Sequence, residues 1–318
     1  MDAAFDGNLV TAEALQRQLR FLKSNYNVIS PEDALAWTLD KFPLPPRAVL
    51  LTCDDGLLNN LTEMLPVLQQ EEVRCLFFVT GASAGEARST LWYEDLFLIL
   101  LRAPAGKFEI SQERVVLSGE LASREQRHGI WWGAVKRLSQ FDAETRSAFV
   151  CSAGRQFRVS LQQHTANASS PLCRRFGLLT LTELRTLAAA GMTIGAHTMS
   201  HPLLSQMPPE LARAEIVECK AKIENGLQKQ IWAFAYPFGD AASVTSQVLA
   251  MPKEAGYAAA FVNFGGGLGC DLPRWALPRV HVTAEMSLPE LEAHVSGFYA
   301  RMRRRAGRGA QPLEAAQT

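Results

Sequence analysis

The sequence predicts an α/β fold: a parallel sheet, wound as a βα barrel, with its helices on the outside. Two observations carry this. Short apolar runs of four to six residues alternate with amphipathic helical stretches along most of the chain. The runs are continuously apolar rather than alternating, as strands covered on both faces must be. With 318 residues and an apolar fraction of 47%, the chain can bury a large core. Its length fits two ordinary domains or one α/β barrel.

The elements follow in order. Thr11 to Ser24 reads as a helix with Leu15, Leu19 and Leu22 on one face. Ala48 to Thr52 is a buried strand and Leu61 to Gln70 a helix. Cys75 to Thr80 is the next strand, ended by Gly81. Leu181 to Ala190 is helical, with Thr180 or Thr182 as its cap and Gly191 as its stop, and Met192 to Ala196 is again a strand. A long helix over Pro209 to Leu227 precedes the strand Ile231 to Ala235. Ser243 to Ala255 is helical, and Tyr257 to Val262 closes the series as a strand. Between about Glu86 and Arg175 the rhythm breaks. A helix at Trp92 to Leu101, a hairpin at Lys107 to Leu117, and helices at Arg124 to Ser139 and Ala143 to Leu161 form a mainly helical insertion, followed by a polar loop from Gln162 to Ser170. The expected organisation is one domain over 1–300 with the insertion at about 86–175, and a basic, disordered tail over 301–318.

Equal numbers of acidic and basic residues, 32 of each, argue against a polyanion binder, so no nucleic-acid partner is expected. Six cysteines without CxxC spacing favour a reducing compartment. Met1 to Asn8 is short and acidic, unlike a signal segment, and no apolar run reaches membrane-spanning length. A cytoplasmic location is the expectation.

The chemistry is concentrated at strand ends, where βα barrels carry their reactive groups. Asp54 and Asp55 follow the strand Ala48 to Thr52; His197 follows Met192 to Ala196, with His201 four residues on; Pro237 follows Ile231 to Ala235; Arg279 and His281 sit in a late strand-like run. Two adjacent carboxylates beside a buried strand need a cation nearby. One acid with two histidines makes a three-ligand metal site with an open position, leaving the other acid as a base. That set points to metal-assisted hydrolysis.

The segments LTCDDG, HTMSH and FAYPFG, in this order, resemble the polysaccharide deacetylase (NodB-homology) family, carbohydrate esterase family 4, and within it the exopolysaccharide-biosynthesis branch. The likeness runs from about Thr11 to Val282. It implies a distorted (β/α) barrel with fewer than eight strands and an enzyme that removes acetyl groups from N-acetylated sugars of a polysaccharide. It implies Asp54 as catalytic base, Asp55, His197 and His201 as metal ligands, and Pro237 and Phe238 as the segment whose backbone N–H holds the oxyanion. Leu277-Pro278-Arg279-Val280 resembles the branch's late LPR segment, with Arg279 placed to orient Asp54 and His281 as the candidate general acid. Zinc is the expected ion, with nickel or cobalt suited to the same donors. An esterase acting on small acyl esters and a silent carbohydrate-binding relative are the rival readings. Two departures stand out: Cys53 replaces the usual Phe, and the chain starts after the strand that carries a Tyr-His segment in relatives, so the expectation is either a truncated reading frame or a barrel open at that edge.

Overall fold

The structure, a computed structural model, describes residues 10–159, 167–240, 243–263 and 274–305. Helix α1 (Ala12–Asn25), capped by the Thr11 hydroxyl, leads into strand β1 (Asn27–Ile29) and helix α2 (Pro31–Thr38). Strand β2 (Ala48–Cys53) is followed by a wide turn at Asn60–Met64 and α3 (Leu65–Gln70). After β3 (Cys75–Val79) come α4 (Trp92–Arg102), the hairpin β4 (Lys107–Gln112) and β5 (Val115–Glu120), α5 (Arg124–Leu138), α6 (Ala143–Phe157) and α7 (Pro171–Phe176). The βα rhythm resumes with α8 (Leu181–Ala189), β6 (Thr193–Ala196), α9 (Pro209–Leu227), β7 (Ala233–Ala235), α10 (Ser246–Glu254) and β8 (Ala259–Val262). Strand β9 (Leu277–Pro278), α11 (Leu288–Val295) and α12 (Phe298–Arg305) complete the described chain.

Seven strands in the order β1-β2-β3-β6-β7-β8-β9, parallel throughout, form a curled half-barrel. The expected distorted barrel is what the chain forms. It is open: β1 and β9 are the two edges and do not pair with each other. Pro278, which has no N–H to donate, stands on one of those edges, where it cannot break a ladder.

Alternation in β3 shows how both faces are covered. Phe77 and Val79 join the large cluster under the outer helices, whereas Leu76 and Phe78 meet Ala233, Ala259 and Phe261 on the other face. There Phe78 and Phe261 pack with ring centroids 5.2 Å apart. Gly195 is required beside them, because a Cβ on it would lie 2.6 Å from the Phe78 ring.

β3 pairs directly with β6 in the register Leu76↔Thr193 to Val79↔Ala196, so the whole stretch between them leaves and rejoins adjacent strands. Its helices and hairpin have a core of their own, including Leu96, Ile99, Ile110, Val135, Leu138 and Phe149. Phe238, from the segment after β7, packs against that core. The insertion is thereby seated on the C-terminal face of the sheet.

Several expectations shift in detail. The short pair β1–α2 went unread in the sequence, although Ser30 and Asp33 form a capping box around Pro31. Thr180, not Thr182, caps α8, with Glu183 completing a capping box. The late strand ends at Pro278, so Arg279 and His281 lie beyond it. Helix α12 runs into the basic tail as far as Arg305; the rest of the tail, Met1 to Asn8, Cys270 and His164 lie outside the described residues. None of the five described cysteines is in a disulfide. Among the described residues no helix is long and apolar enough to cross a membrane.

Candidate active site

Four strands deliver the site. β2 ends at Cys53 and presents Asp54 and Asp55; β6 ends at Ala196 and presents His197; β7 ends at Ala235 ahead of Pro237 and Phe238; β9 ends at Pro278 ahead of Arg279. Parallel strands bring all of these to one face of the sheet. The turns are tight: Asp55, Thr198, His201 and Phe238 have φ of 74°, 65°, 56° and 62°. These are left-handed conformations, uncommon for residues other than glycine.

Asp55, His197 and His201 converge, with one potential ligand atom from each lying within 4.8 Å of the others. His201 Nε2 is 3.2 Å and His197 Nε2 3.5 Å from Asp55 Oδ1. Asp55 Oδ1 is nonetheless buried without a well-formed hydrogen bond. The His197 side explains this. Its Nδ1 lies 2.7 Å from the Ala235 carbonyl oxygen, an acceptor, so Nδ1 carries the proton and Nε2 turns a lone pair towards Asp55. Burial lowers the His197 pKa despite the nearby Asp54, which keeps the ring neutral. Acceptors therefore face one another across a gap that a cation fits. Burial would raise the Asp55 pKa, but His201 first and then His197 and Arg175 hold it at about 2. The donor set fits a divalent ion.

Asp54 stands beside this cluster, 3.9 Å from His197 Nε2. Arg279 grips it through two bonds, Nη1 to Oδ1 at 2.6 Å and Nη2 to Oδ2 at 2.7 Å, while Nη1 also donates to Thr52 Oγ1 at 3.2 Å. Burial would raise the Asp54 pKa; the Arg279 charge and hydrogen bonds, with His197, outweigh it and hold the carboxyl below its ordinary range. Asp54 is thus ionised and fixed in orientation.

The structure brings Asp54, Asp55, His197, His201, Arg279 and Phe238 together. Pro237 precedes Phe238 in the turn and has no N–H, so a backbone donor there falls to Phe238. The Phe238 ring packs 4.9 Å from His201, centroid to centroid. His281 is exposed on the wall of the same cleft, two residues beyond Arg279. Cys53 lies beneath the pair, and burial together with Asp54 and Asp55 pushes its thiol up to about 12. It stays protonated, and Asn60 Nδ2 donates to its sulfur at 3.4 Å.

The insertion adds groups whose place at the ligand cluster no motif marks. Tyr93 stacks 4.7 Å from His201, with its hydroxyl 3.5 Å from Asp55 Oδ2. Glu94, 8% exposed, pairs with Arg175 at 2.8 Å. Burial, only partly opposed by Arg175, pushes its carboxyl up to about 7. Trp92 Nε1 donates to the His201 carbonyl at 3.3 Å. Arg146, the largest fully buried side chain, donates to Ser200 and, at 3.1 Å, to Glu215. Glu215 in turn accepts from the Ser200 N–H at 2.8 Å. The loop that carries His201 is thus tied to the insertion from two sides.

A family profile described as "Polysaccharide deacetylase" matches residues 41–131 and 159–260, more than half of the chain. The chain belongs to the polysaccharide deacetylase family. A Bacillus subtilis protein, YxkH, named as a candidate polysaccharide deacetylase, is 26% identical over 120 residues, which is 38% of this chain and 42% of that protein. The match thus spans less than half of that relative. Among solved structures, the Streptococcus pyogenes deacetylase PplD, in complex with acetate, superposes with a TM-score of 0.57 at 15% identity, over 93% of this chain and 92% of that one. IcaB from Ammonifex degensii superposes with a TM-score of 0.53 at 16% identity, over 90% and 89%. These likenesses extend the deacetylase fold over nearly the whole chain, insertion included.

Proposed function

We propose that this member of the polysaccharide deacetylase family is a metal-dependent hydrolase that removes acetyl groups from N-acetylated sugars of a polysaccharide. The observation that carries the reading is the pairing of two sites: the buried, acceptor-lined gap between Asp55, His197 and His201, and beside it an ionised carboxylate clamped by an arginine. Asp55, His197 and His201 would hold a divalent ion, zinc first by donor type, which supplies Lewis acidity towards the acetyl carbonyl and a more acidic water. Asp54, held ionised by Arg279, takes the proton of the attacking water. The Phe238 backbone N–H offers a hydrogen bond where negative charge develops on the acetyl oxygen. The departing amine must gain a proton, and His281 is the candidate donor. The YPFG segment lacks the arginine of the family's chitin and peptidoglycan branches, and the Arg279–Asp54 clamp supplies it from the LPR segment. That substitution supports placing the protein with the exopolysaccharide branch.

Acetate release from N-acetylglucosamine oligomers and from aryl acetates, before and after chelation, tests the reading. The expected result is release from oligomers, lost on chelation and restored by zinc. Activity on aryl acetates alone would transfer the protein to the esterases. Full activity after exhaustive chelation, or in Asp55→Ala, would remove the metal from the mechanism.

A further inference from the structure

Helix α5 of the insertion has two faces. Ala134, Val135 and Leu138 are buried in the insertion core. Arg124, Glu125, His128, Gly129, Trp131 and Trp132, which fall along one side of the helix, line the cleft that holds Asp54, Asp55, His197 and His201. The connection to the ligand cluster is continuous: the Trp132 ring lies 5.3 Å from Phe238, and Phe238 lies 4.9 Å from His201.

Two residues in this stripe work against the stability of the helix. Gly129 sits in the middle of it, and glycine is the poorest helix former after proline. Nothing in the fold calls for it there: its φ is not positive, and a Cβ would meet no atom within 4 Å. Gly133, one turn on, is equally unencumbered but does not line the cleft. Trp132 keeps part of a large aromatic surface open beside that cleft, where it has the flat apolar shape that the C–H faces of a pyranose ring fit. Glu94, on the same cleft wall and more than nine-tenths buried, keeps one carboxyl oxygen, Oε2, without a hydrogen-bond partner.

We propose that Trp132 and Gly129 form a second saccharide subsite. A sugar ring of the substrate chain, neighbouring the one deacetylated, lies on the Trp132 ring and across the bare helix backbone at Gly129. The proposal rests on the carbohydrate deacetylase reading and gives it a preference for chains over single sugars. A methyl group at position 129 projects into the space that ring would take, whereas one at position 133 does not.

The test compares Gly129→Ala, Gly133→Ala and Trp132→Ala. Pentamers of N-acetylglucosamine, β-1,4- and β-1,6-linked, are titrated by calorimetry onto the Asp54→Asn form of each, and KM for the same pentamers and for an aryl acetate is measured in the active forms. Both glycine variants should gain about 1–3 °C in Tm, since each removes a helix-interior glycine. Gly129→Ala and Trp132→Ala should weaken pentamer binding and raise its KM by roughly tenfold or more, and Gly129→Ala, whose new methyl meets no atom of the protein, should leave kcat/KM for the aryl acetate unchanged. Gly133→Ala should leave binding and KM alone. Equal pentamer affinity in Gly129→Ala and Gly133→Ala overturns the subsite, as does failure of the parent Asp54→Asn form to bind either pentamer. Loss of aryl acetate turnover along with pentamer turnover in Gly129→Ala also overturns it. Pentamer binding that responds to Gly129→Ala while no form releases acetate keeps the subsite and defeats the hydrolase reading instead.

Discussion

Asp54 and Asp55 are neighbours in sequence with opposite surroundings. Asp55 looks into a gap towards which His197 Nε2 turns a lone pair and beside which His201 Nε2 stands; Asp54 is held on both oxygens by Arg279. Asp54→Asn should lower kcat by about 10²–10⁴-fold, the range for losing a general base. Arg279→Ala removes the charge that keeps Asp54 ionised and oriented, and should lower kcat by roughly 10–100-fold, corresponding to about 1.5–3 kcal/mol for a charged hydrogen bond. Arg279→Lys should recover little of this, because an ammonium cannot bond both carboxylate oxygens as the guanidinium does. Steady-state kinetics on one acetylated oligomer decide between them. Asp54 and Asp55 were legible in the sequence because they follow an apolar strand directly, so topology alone brings them to the site face; Arg279 was legible through the LPR segment rather than through its two-residue strand. Tyr93, Glu94 and Arg175 were not. Their nearness to Asp55 depends on where the insertion folds back, and a helix sequence does not carry that information.

At the scale of elements, α4 and α6 are the parts of the insertion that touch the metal-ligand loop, opposite α9 of the half-barrel. Arg146 of α6 is buried against Ser200 and Glu215, so removing it strands Glu215. Arg146→Met should destabilise the protein by about 3–5 kcal/mol in chemical denaturation. It should also weaken zinc affinity by roughly 10–100-fold by loosening His201, as losses of outer-shell support do. Asp95 of α4 gives a pH signature. Thr90 Oγ1 donates to its Oδ2 at 2.6 Å, its Oδ1 has no partner, and burial raises its pKa to about 6. A raised carboxyl pKa means that the folded state binds the proton more tightly than the unfolded one. Its contribution is complete below about 3.8 and is lost as pH rises through 6. Asp95→Asn should therefore flatten the fall in stability between about pH 4 and 6, read from denaturation midpoints across that range. The long apolar strands and the strongly patterned helices were readable in advance. β1, with three residues, and β9, with two, were too short to show a period, and only tertiary pairing makes them strands.

For the whole molecule, the half-barrel and the insertion meet around the site, at the loops that carry His201 and Phe238 and at Asp55. A ligand ion that binds the folded form alone adds about 2.7 kcal/mol at a hundredfold excess over its Kd. Zinc should raise the Tm of the chelated protein, and His201→Ala should abolish the increase; differential scanning calorimetry with and without chelator measures both. An unchanged Tm would mean that Asp55, His197 and His201 hold no ion in the folded state.

The left-handed turns at Asp55, Thr198, His201 and Phe238 have a consequence for local motion. Sparsely populated backbone conformations persist only where their surroundings impose them, and Thr198, β-branched, is the least comfortable of the four. The segments that carry the chemistry therefore gain the least from staying closed. In hydrogen exchange, amides of 54–56 and 197–201 should open by small fluctuations, well before those of β3 and β6 immediately beneath them.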